Sequence, residues 1–150
     1  MNLRYIKSSE KKKILTELEE HFGISELPYL LFEVGKQKVR GFSGDLSKDE
    51  INELSRVANI EILGLYLFSM RDNDIRLNFD ALQLLKISKS IIEISDSDLN
   101  SWLHGSDLEI ESSPGVYLLQ HGSDLVGCGK SNGSTLFNYL PRERQLKNKN

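Results

Sequence analysis

The sequence predicts an α+β fold in two parts: an N-terminal α/β half and a small C-terminal half that resembles a β-barrel. Up to about residue 86, helical patterns alternate with apolar, β-branched runs that are typical of strands. From Gly105 onwards only short strand-like runs remain, with a turn signal every 8–10 residues. Because the pattern changes near residues 86–90, we place one domain at 1–88 and a second at 89–150.

The first half opens with a predicted helix and a predicted hairpin. Apolar side chains recur at helical spacing over residues 10–22, and Gly23 is a natural C-terminal stop. The β-branched and aromatic run YLLFEV, at 29–34, is typical of a strand. A tight turn then returns the chain through VRGF, at 39–42, as a second strand.

A helix, a hairpin and a short helix are predicted next. The pattern Ser47–Glu50 is a capping box, which predicts a helix over 51–58. The apolar run NIEILGLYLFSM and the run IRLNF, joined through the polar segment RDND, predict a hairpin over 60–79. Asp80 then begins a predicted short helix, ALQLLKI.

The second half contains one predicted helix among short strands. SIIEI is typical of a strand, and a helix is predicted over Ser95–Leu103, with Asp96 and Asp98 in its first turn, where acids favour the helix dipole. The remaining strand-like runs, in order, are DLEIE, VYLLQ, LVGCG and STLFNYL.

Trp102, the only tryptophan, ends this helix shortly before Gly105, which we expect to have a positive φ and to cap the helix. Two interpretations follow. In the first, Trp102 packs between the two halves of the chain. In the second, the loop at 102–107 lies beside the basic C-terminus and forms part of a binding lip.

The segment Gly127-Cys128-Gly129-Lys130 is superficially similar to a phosphate-binding loop. It lacks the Gly-x-x-x-x-Gly-Lys-Ser/Thr spacing, and no helix is predicted after it to hold an anion. The glycines are better explained as positions where a turn or a close backbone approach is needed. We expect Cys128 to be a small core residue and Lys130 to act as a plain cation.

The residues that could carry chemistry are sparse. His21, His104 and His121 are scattered along the chain, and there is one cysteine, whereas a zinc site normally uses four close-set ligands. No nucleophile elbow is present in the sequence. We therefore predict no catalytic residue, no metal site and no cofactor, and expect that the protein is not an enzyme.

The apolar runs, the N-terminal segment and the single cysteine indicate where the protein acts. No apolar run approaches the roughly 20 residues that a membrane span needs, and the start, MNLRYIKSSEKKK, has no apolar region of the kind found in secretory signals. A lone cysteine excludes an intramolecular disulfide. We expect a cytoplasmic protein that does not contact a membrane.

Charge is distributed unevenly around a formal net value of −3. Residues 1–13 carry a net charge of +4 and residues 141–150 a net charge of +3, whereas residues 45–112 carry −8. Coulomb attraction acts over about 8–10 Å at physiological salt, so a localised basic surface can bind an anion on an acidic protein. Solvated basic termini would produce the same pattern, so charge alone leaves both interpretations open.

Three segments together resemble the pre-PUA/PUA family, above all the archaeal homologues of the 60S ribosome biogenesis factor Nip-seven. The segment RDNDIRLNFDALQLLKISKSIIEI is similar to the family's strand–helix–strand junction, through Arg76, Leu77, Ala81, Leu82 and Leu85. WLHGSDLEI is similar to the entry of the PUA barrel, and GVYLLQHGSDLVGCGKS to the PUA core pattern. The matching residues in these two segments are Leu103, Gly105, Leu108, Gly115, Gly127 and Gly129.

This resemblance implies an α/β pre-PUA domain followed by a PUA-type β-barrel, in an RNA-binding protein without catalysis of its own. The implied partners are single-stranded, U-rich or ribosomal RNA, together with ribosome assembly factors or an RNA methyltransferase, and we expect a monomer. In the family, basic side chains at the end of the PUA domain contact RNA. Here the matching segment NYLPRERQLKNKN supplies Arg142, Arg144, Lys147 and Lys149.

Two alternatives remain. Because PUA domains also end tRNA- and rRNA-modifying enzymes, the chain could be an accessory RNA-binding subunit or PUA tail of such an enzyme. Otherwise, the acidic first half could dock a basic protein. If RNA is the partner, specificity needs base stacking or edge contacts, for which Phe137, Tyr139 and His121 are the nearby candidates.

Overall fold

The computed structural model describes residues 3–35, 37–42, 49–50, 53, 64–71 and 74–147. The chain divides into two compact units, Met1–Ile87 and Ser88–Asn150. Among the described residues, each unit contains a five-stranded sheet and at least one α-helix. The fold class is therefore α+β, as predicted.

The N-terminal unit is an antiparallel sheet in which the strands lie in sequence order. Its strands are β1 (Leu3–Tyr5), β2 (Leu30–Val34), β3 (Lys38–Phe42), β4 (Leu65–Arg71) and β5 (Asp74–Leu77). Hairpins join β2 to β3 and β4 to β5. The pairing of β4 with β5 confirms the hairpin predicted over 60–79, apart from residues 60–63 and 72–73, which lie outside the described part.

Helix α1 (Ser8–Phe22) buries Ile14, Leu18 and Phe22, spaced four residues apart, so its apolar stripe is one face of a helix. Gly23 ends it as predicted. Its φ of +71° is left-handed, and its N–H donates to Glu19 O.

The prediction of a helix after Asp80 is wrong. Phe79–Ala81 instead forms one 3₁₀ turn, followed by further turns, with the Leu82 and Leu84 amides bonded three residues back. Leu82 and Leu85 are nevertheless buried. A series of tight turns is therefore enough to bury these two leucines, without a complete helix. The capping box at Ser47–Glu50 and the helix over 51–58 lie outside the described residues, apart from positions 49–50 and 53.

The C-terminal unit is a mixed sheet in the order β6-β8-β9-β10-β7. Its strands are β6 (Ile91–Glu93), β7 (Leu108–Glu109), β8 (Gly115–His121), β9 (Asp124–Ser131) and β10 (Thr135–Asn138). β6 pairs with β8 in parallel, and the other pairs are antiparallel. The outer strands, β6 and β7, do not pair with each other, so the barrel is not closed. The sheet is a curled half-barrel.

Helix α2 (Asp96–Leu103) connects β6 to β7, and it begins where the sequence predicts. Ser95 is its N-cap, and the Ser95 hydroxyl accepts a hydrogen bond from the Asp98 amide. Gly105 follows the helix with a φ of +91°, as expected.

Trp102 lies in the core of the C-terminal unit. It is fully buried in a cluster with Ile94, Leu108, Leu119 and Leu136. Its ring fits over β9 because that strand has glycines there. The sequence shows a large aromatic side chain but cannot show which strand lacks the side chains that would exclude it.

Candidate nucleic-acid interface

Arg142 and Arg144 lie on one exposed 3₁₀ turn, Arg142–Arg144, that follows Pro141 at the end of the sheet. Glu143 is exposed between them. Lys147 is also exposed, whereas Lys149 lies outside the described residues. The structure thus brings two of the predicted cations together on one turn, with a third close behind in the sequence.

Hydrogen bonds on the C-terminal side hold this turn in place. The Gln145 side chain donates through Nε2 to Leu140 O at 2.9 Å, which closes the loop around the turn. The Leu146 amide donates to Leu103 O at 2.7 Å, at the end of α2. The two arginines therefore lie on a turn whose backbone is held in place, so less backbone entropy is lost on binding than with a loose tail.

Asn138 holds the other side of the turn. Its Nδ2 donates to Trp102 O at 2.8 Å and to Ser106 O at 2.9 Å. Its Oδ1 accepts the Leu140 amide at 2.7 Å. One side chain thus joins the end of β10 to the loop after α2.

Gly105 allows the C-terminal segment to approach this loop. A Cβ at Gly105 would lie 2.5 Å from Gln145 Oε1, which is closer than real side chains come. The loop at 102–107 therefore lies against the basic C-terminal segment. This is the geometry that the lip interpretation requires.

Lys130 lies on a different element from the arginine turn. It is half-buried in β9 and its register partners are Val116 in β8 and Phe137 in β10. Phe137 is 40% exposed. Because partners across a strand pair have Cβ atoms about 5 Å apart, a cation and an aromatic ring lie side by side here.

The other two stacking candidates lie in different surroundings. His121 is at the β8–β9 hairpin and its Nε2 lies 2.6 Å from Asp96 Oδ1. Six residues of β9 separate this hairpin from Lys130, or roughly 20 Å at the usual rise of a strand. Tyr139 is half-buried, and its amide donates to Cys128 O.

The N-terminal basic segment is partly neutralised within its own unit. Arg4 forms ion pairs with Glu10 at 2.7 Å and with Glu33 at 2.6 Å. The hydrogen bond to Glu10 is the largest cause of a raised pKa of Arg4, and the hydrogen bond to Glu33 is the next largest. The hydrogen bond from Arg4 to Glu10 also lowers the pKa of Glu10. Lys11 donates to Tyr29 O. The exposed remainder of this basic segment comprises Lys7, Lys12 and Lys13.

The side chains with acid–base chemistry that lie together in the described part of the chain include Glu17, Glu20, His21 and Asp74, which line a pocket of the N-terminal unit. Cys128 is 5% exposed within β9, so its thiol is not presented to a substrate. No three His, Cys, Asp or Glu side chains among the described residues are grouped so as to hold a metal ion. No described helix is long and apolar enough to span a membrane.

The sequence does not predict that Asn138 and Gln145 hold the arginine turn. Both are ordinary amides in a polar segment, and their partners lie far away in the sequence. The available signal was Gly105, because a glycine after a helix can mark a close backbone approach as well as a cap.

Comparison with protein families places part of the chain in a known domain family. Residues 89–146 match the family described as the PUA domain of the methyltransferase RsmF. The chain thus contains a PUA-type domain, which spans the second sheet, α2 and the arginine turn. The match does not extend into the N-terminal unit, and no curated protein sequence matches the chain.

Proposed function

We propose that this chain is a non-catalytic RNA-binding protein whose PUA-type domain binds RNA through the Arg142–Arg144 turn, with Lys147, Lys149 and Lys130 as further cations. One observation carries the proposal. Two exposed arginines lie on a turn that Asn138 and Gln145 hold at a fixed position in a PUA-type domain. Arginine is well suited to phosphate because its planar guanidinium donates two parallel hydrogen bonds.

The biological setting that we propose is ribosome biogenesis, either in rRNA processing or in assembly of the large subunit. The resemblance to pre-PUA/PUA proteins supports this setting. Within it, the chain acts as an RNA-holding partner of assembly factors or of an RNA methyltransferase.

The proposal is tested with the double variant Arg142→Ala/Arg144→Ala and U-rich single-stranded RNA in filter binding at several salt concentrations. Each phosphate contact on a single strand contributes about 0.7 to the slope of log affinity against log salt. The double variant should therefore bind more weakly and with a slope shallower by about 1.4. A matched control is Lys12→Ala/Lys13→Ala, which removes two exposed charges from α1.

Unchanged binding by the arginine double variant would refute the assignment of the site. Absent or salt-insensitive RNA binding by the unmodified chain would favour the alternative, in which the acidic first half docks a basic protein.

A second candidate function is an accessory RNA-binding subunit of a tRNA- or rRNA-modifying enzyme, which the match to a methyltransferase PUA domain favours. Crosslinking the chain to RNA in cells and sequencing the bound fragments separates a ribosomal setting from a tRNA-modifying one. Fragments of ribosomal RNA support ribosome biogenesis or rRNA modification, whereas enrichment of tRNA supports a tRNA-modifying enzyme.

A further inference from the structure

Phe137 is an exposed aromatic residue on a strand whose neighbouring residues face the core. Leu136, just before it, is fully buried in the cluster around Trp102, and Asn138, just after it, bonds to Trp102 O. Since side chains alternate along a strand, Phe137 lies on the opposite face of β10. It is 40% exposed there.

Three large apolar side chains are exposed in the described part of the chain: Leu84, Phe137 and Leu146. Two of these, Phe137 and Leu146, lie on either side of the arginine turn in the sequence. Phe137 precedes the Arg142–Arg144 turn by five positions, and Leu146 follows it by two. Burying a phenylalanine within a core would contribute roughly 1.5–3 kcal/mol, and the fold forgoes part of that here.

One cation lies beside Phe137 in the sheet, and two more follow it in the sequence. Lys130 is its register partner in β9, and three residues separate the end of β10 from the Arg142–Arg144 turn. The centre of a stable protein interface is a contiguous apolar patch depleted of lysine and carboxylates, which one ring beside a lysine does not provide. A single ring beside several cations is instead the arrangement with which proteins bind single-stranded nucleic acid: bases stack on the ring and phosphates meet the cations.

We propose that Phe137 is a stacking platform for one base of single-stranded RNA, with Lys130 and the Arg142–Arg144 turn contacting the flanking phosphates. This inference rests on the RNA-binding function proposed above. The stacking site would determine which form of RNA the protein binds. Bases within an A-form duplex are stacked on each other and cannot offer a face to a side chain. The site therefore selects single strands over duplexes and, because every base has a π face, tolerates different sequences.

The test compares Phe137→Leu, which keeps an apolar side chain but removes the ring, with Phe137→Trp, which keeps an aromatic surface. We expect Phe137→Leu to bind single-stranded oligo-A and oligo-U about 5- to 150-fold more weakly than the unmodified chain. Its salt slope should be unchanged because no phosphate contact is lost. The weak affinity for duplex RNA should also be unchanged.

Phe137→Trp gives a direct signal of stacking. The native Trp102 is fully buried, so its emission should respond little to RNA, whereas a tryptophan at 137 should be quenched when a base stacks on it. Absence of additional quenching in a variant that still binds RNA would contradict the stacking role. Unfolding followed through Trp102 checks that each variant is folded, and Phe137→Met, which also lacks a ring, replaces Phe137→Leu if that variant does not fold.

The two proposals fail in different ways. If Phe137→Leu binds single strands as tightly as the unmodified chain, while Arg142→Ala/Arg144→Ala still shows the shallower slope, the stacking inference is wrong and the RNA-binding function stands. Equal losses on single-stranded and duplex RNA would also overturn the stacking inference. If the unmodified chain binds neither form of RNA, both proposals are wrong.

Discussion

The indole nitrogen of Trp102 donates a 2.8 Å hydrogen bond to the carbonyl of Val126. The ring consequently lies over the next residue, Gly127, where a Cβ would be 2.8 Å from Nε1, and it also reaches Gly129, where a Cβ would be 2.9 Å from Cη2. The glycines around Cys128 therefore accommodate a buried tryptophan. This close approach explains them without any phosphate ligand.

Gly127→Ala should destabilise the C-terminal unit by about 2–4 kcal/mol. Part of the loss is backbone strain, since Gly127 has a φ of +141°, and part is overpacking against a rigid buried ring. The free energy of unfolding can be followed by denaturant titration with Trp102 fluorescence, which reports on this unit alone because the chain has one tryptophan.

Gly115→Ala is the matched control. Gly115 has a similar φ of +148°, but a Cβ there would meet nothing within 4 Å. This variant should therefore lose only the strain component, and the difference between the two alanine variants measures the clash with Trp102. Equal losses would show that Trp102 does not require glycine at 127.

The parts of the fold that the sequence predicts are those with local signals. Gly23 caps the end of helix α1, Ser95 caps the start of α2, and the β4–β5 hairpin pairs two apolar runs that a short polar segment separates in the sequence. Each signal lies within a few residues of the element that it determines. The sequence predicts a helix after Asp80, but a 3₁₀ turn at Phe79–Ala81 and the turns that follow it bury Leu82 and Leu85 equally well.

The parts of the fold that the sequence does not predict depend on contacts between residues that are distant in the sequence. The parallel pairing of β6 with β8 bypasses α2 and β7, and no local pattern specifies it. The environment of Trp102 likewise depends on glycines in β9. For the candidate site, the sequence predicts the cations at 142 and 144 from charge and resemblance, but not the amide contacts from Asn138 and Gln145 that hold their turn.

Gln145→Ala should loosen the arginine turn while the sheet stays intact. The variant loses the hydrogen bond to Leu140 O, a contribution of about 0.5–1.5 kcal/mol. Local opening becomes easier by that amount, so the Leu146 amide, which is bonded to Leu103 O, should exchange with deuterium about 2- to 10-fold faster. RNA affinity should fall less than in Arg142→Ala/Arg144→Ala, because both arginines remain.

Gln120→Ala is the control for this change. Gln120 also donates through Nε2 to a backbone carbonyl, that of Gly122, at 3.0 Å, but it does so at the β8–β9 hairpin. Its removal should leave exchange at Leu146 and RNA affinity unchanged. If Gln145→Ala leaves the exchange of the Leu146 amide unaltered, the Gln145 side chain does not hold the turn.

Acid should weaken the N-terminal unit through the Arg4–Glu10 pair. The hydrogen bond from Arg4 is the main cause of the lowered pKa of Glu10, whose ordinary value is 4.5. A carboxylate with a lowered pKa in the folded state stabilises the fold above its unfolded pKa, and this stabilisation is lost as the pH falls through the folded pKa. Because the Arg4 side chain is 52% exposed, solvent screening limits the contribution to about 0.5 kcal/mol.

Arg4→Gln should therefore be less stable than the unmodified chain at pH 7, and the difference should shrink below pH 4.5 as Glu10 becomes protonated in both proteins. Thermal unfolding by circular dichroism, which detects α1, gives the two free energies at each pH. Lys12→Gln removes an exposed charge from the same helix without touching this ion pair, so its difference from the unmodified chain should vary less over the same interval. A difference for Arg4→Gln that stays constant from pH 7 to pH 3 would mean that Arg4 stabilises the unit through packing of its aliphatic stem and not through its charge.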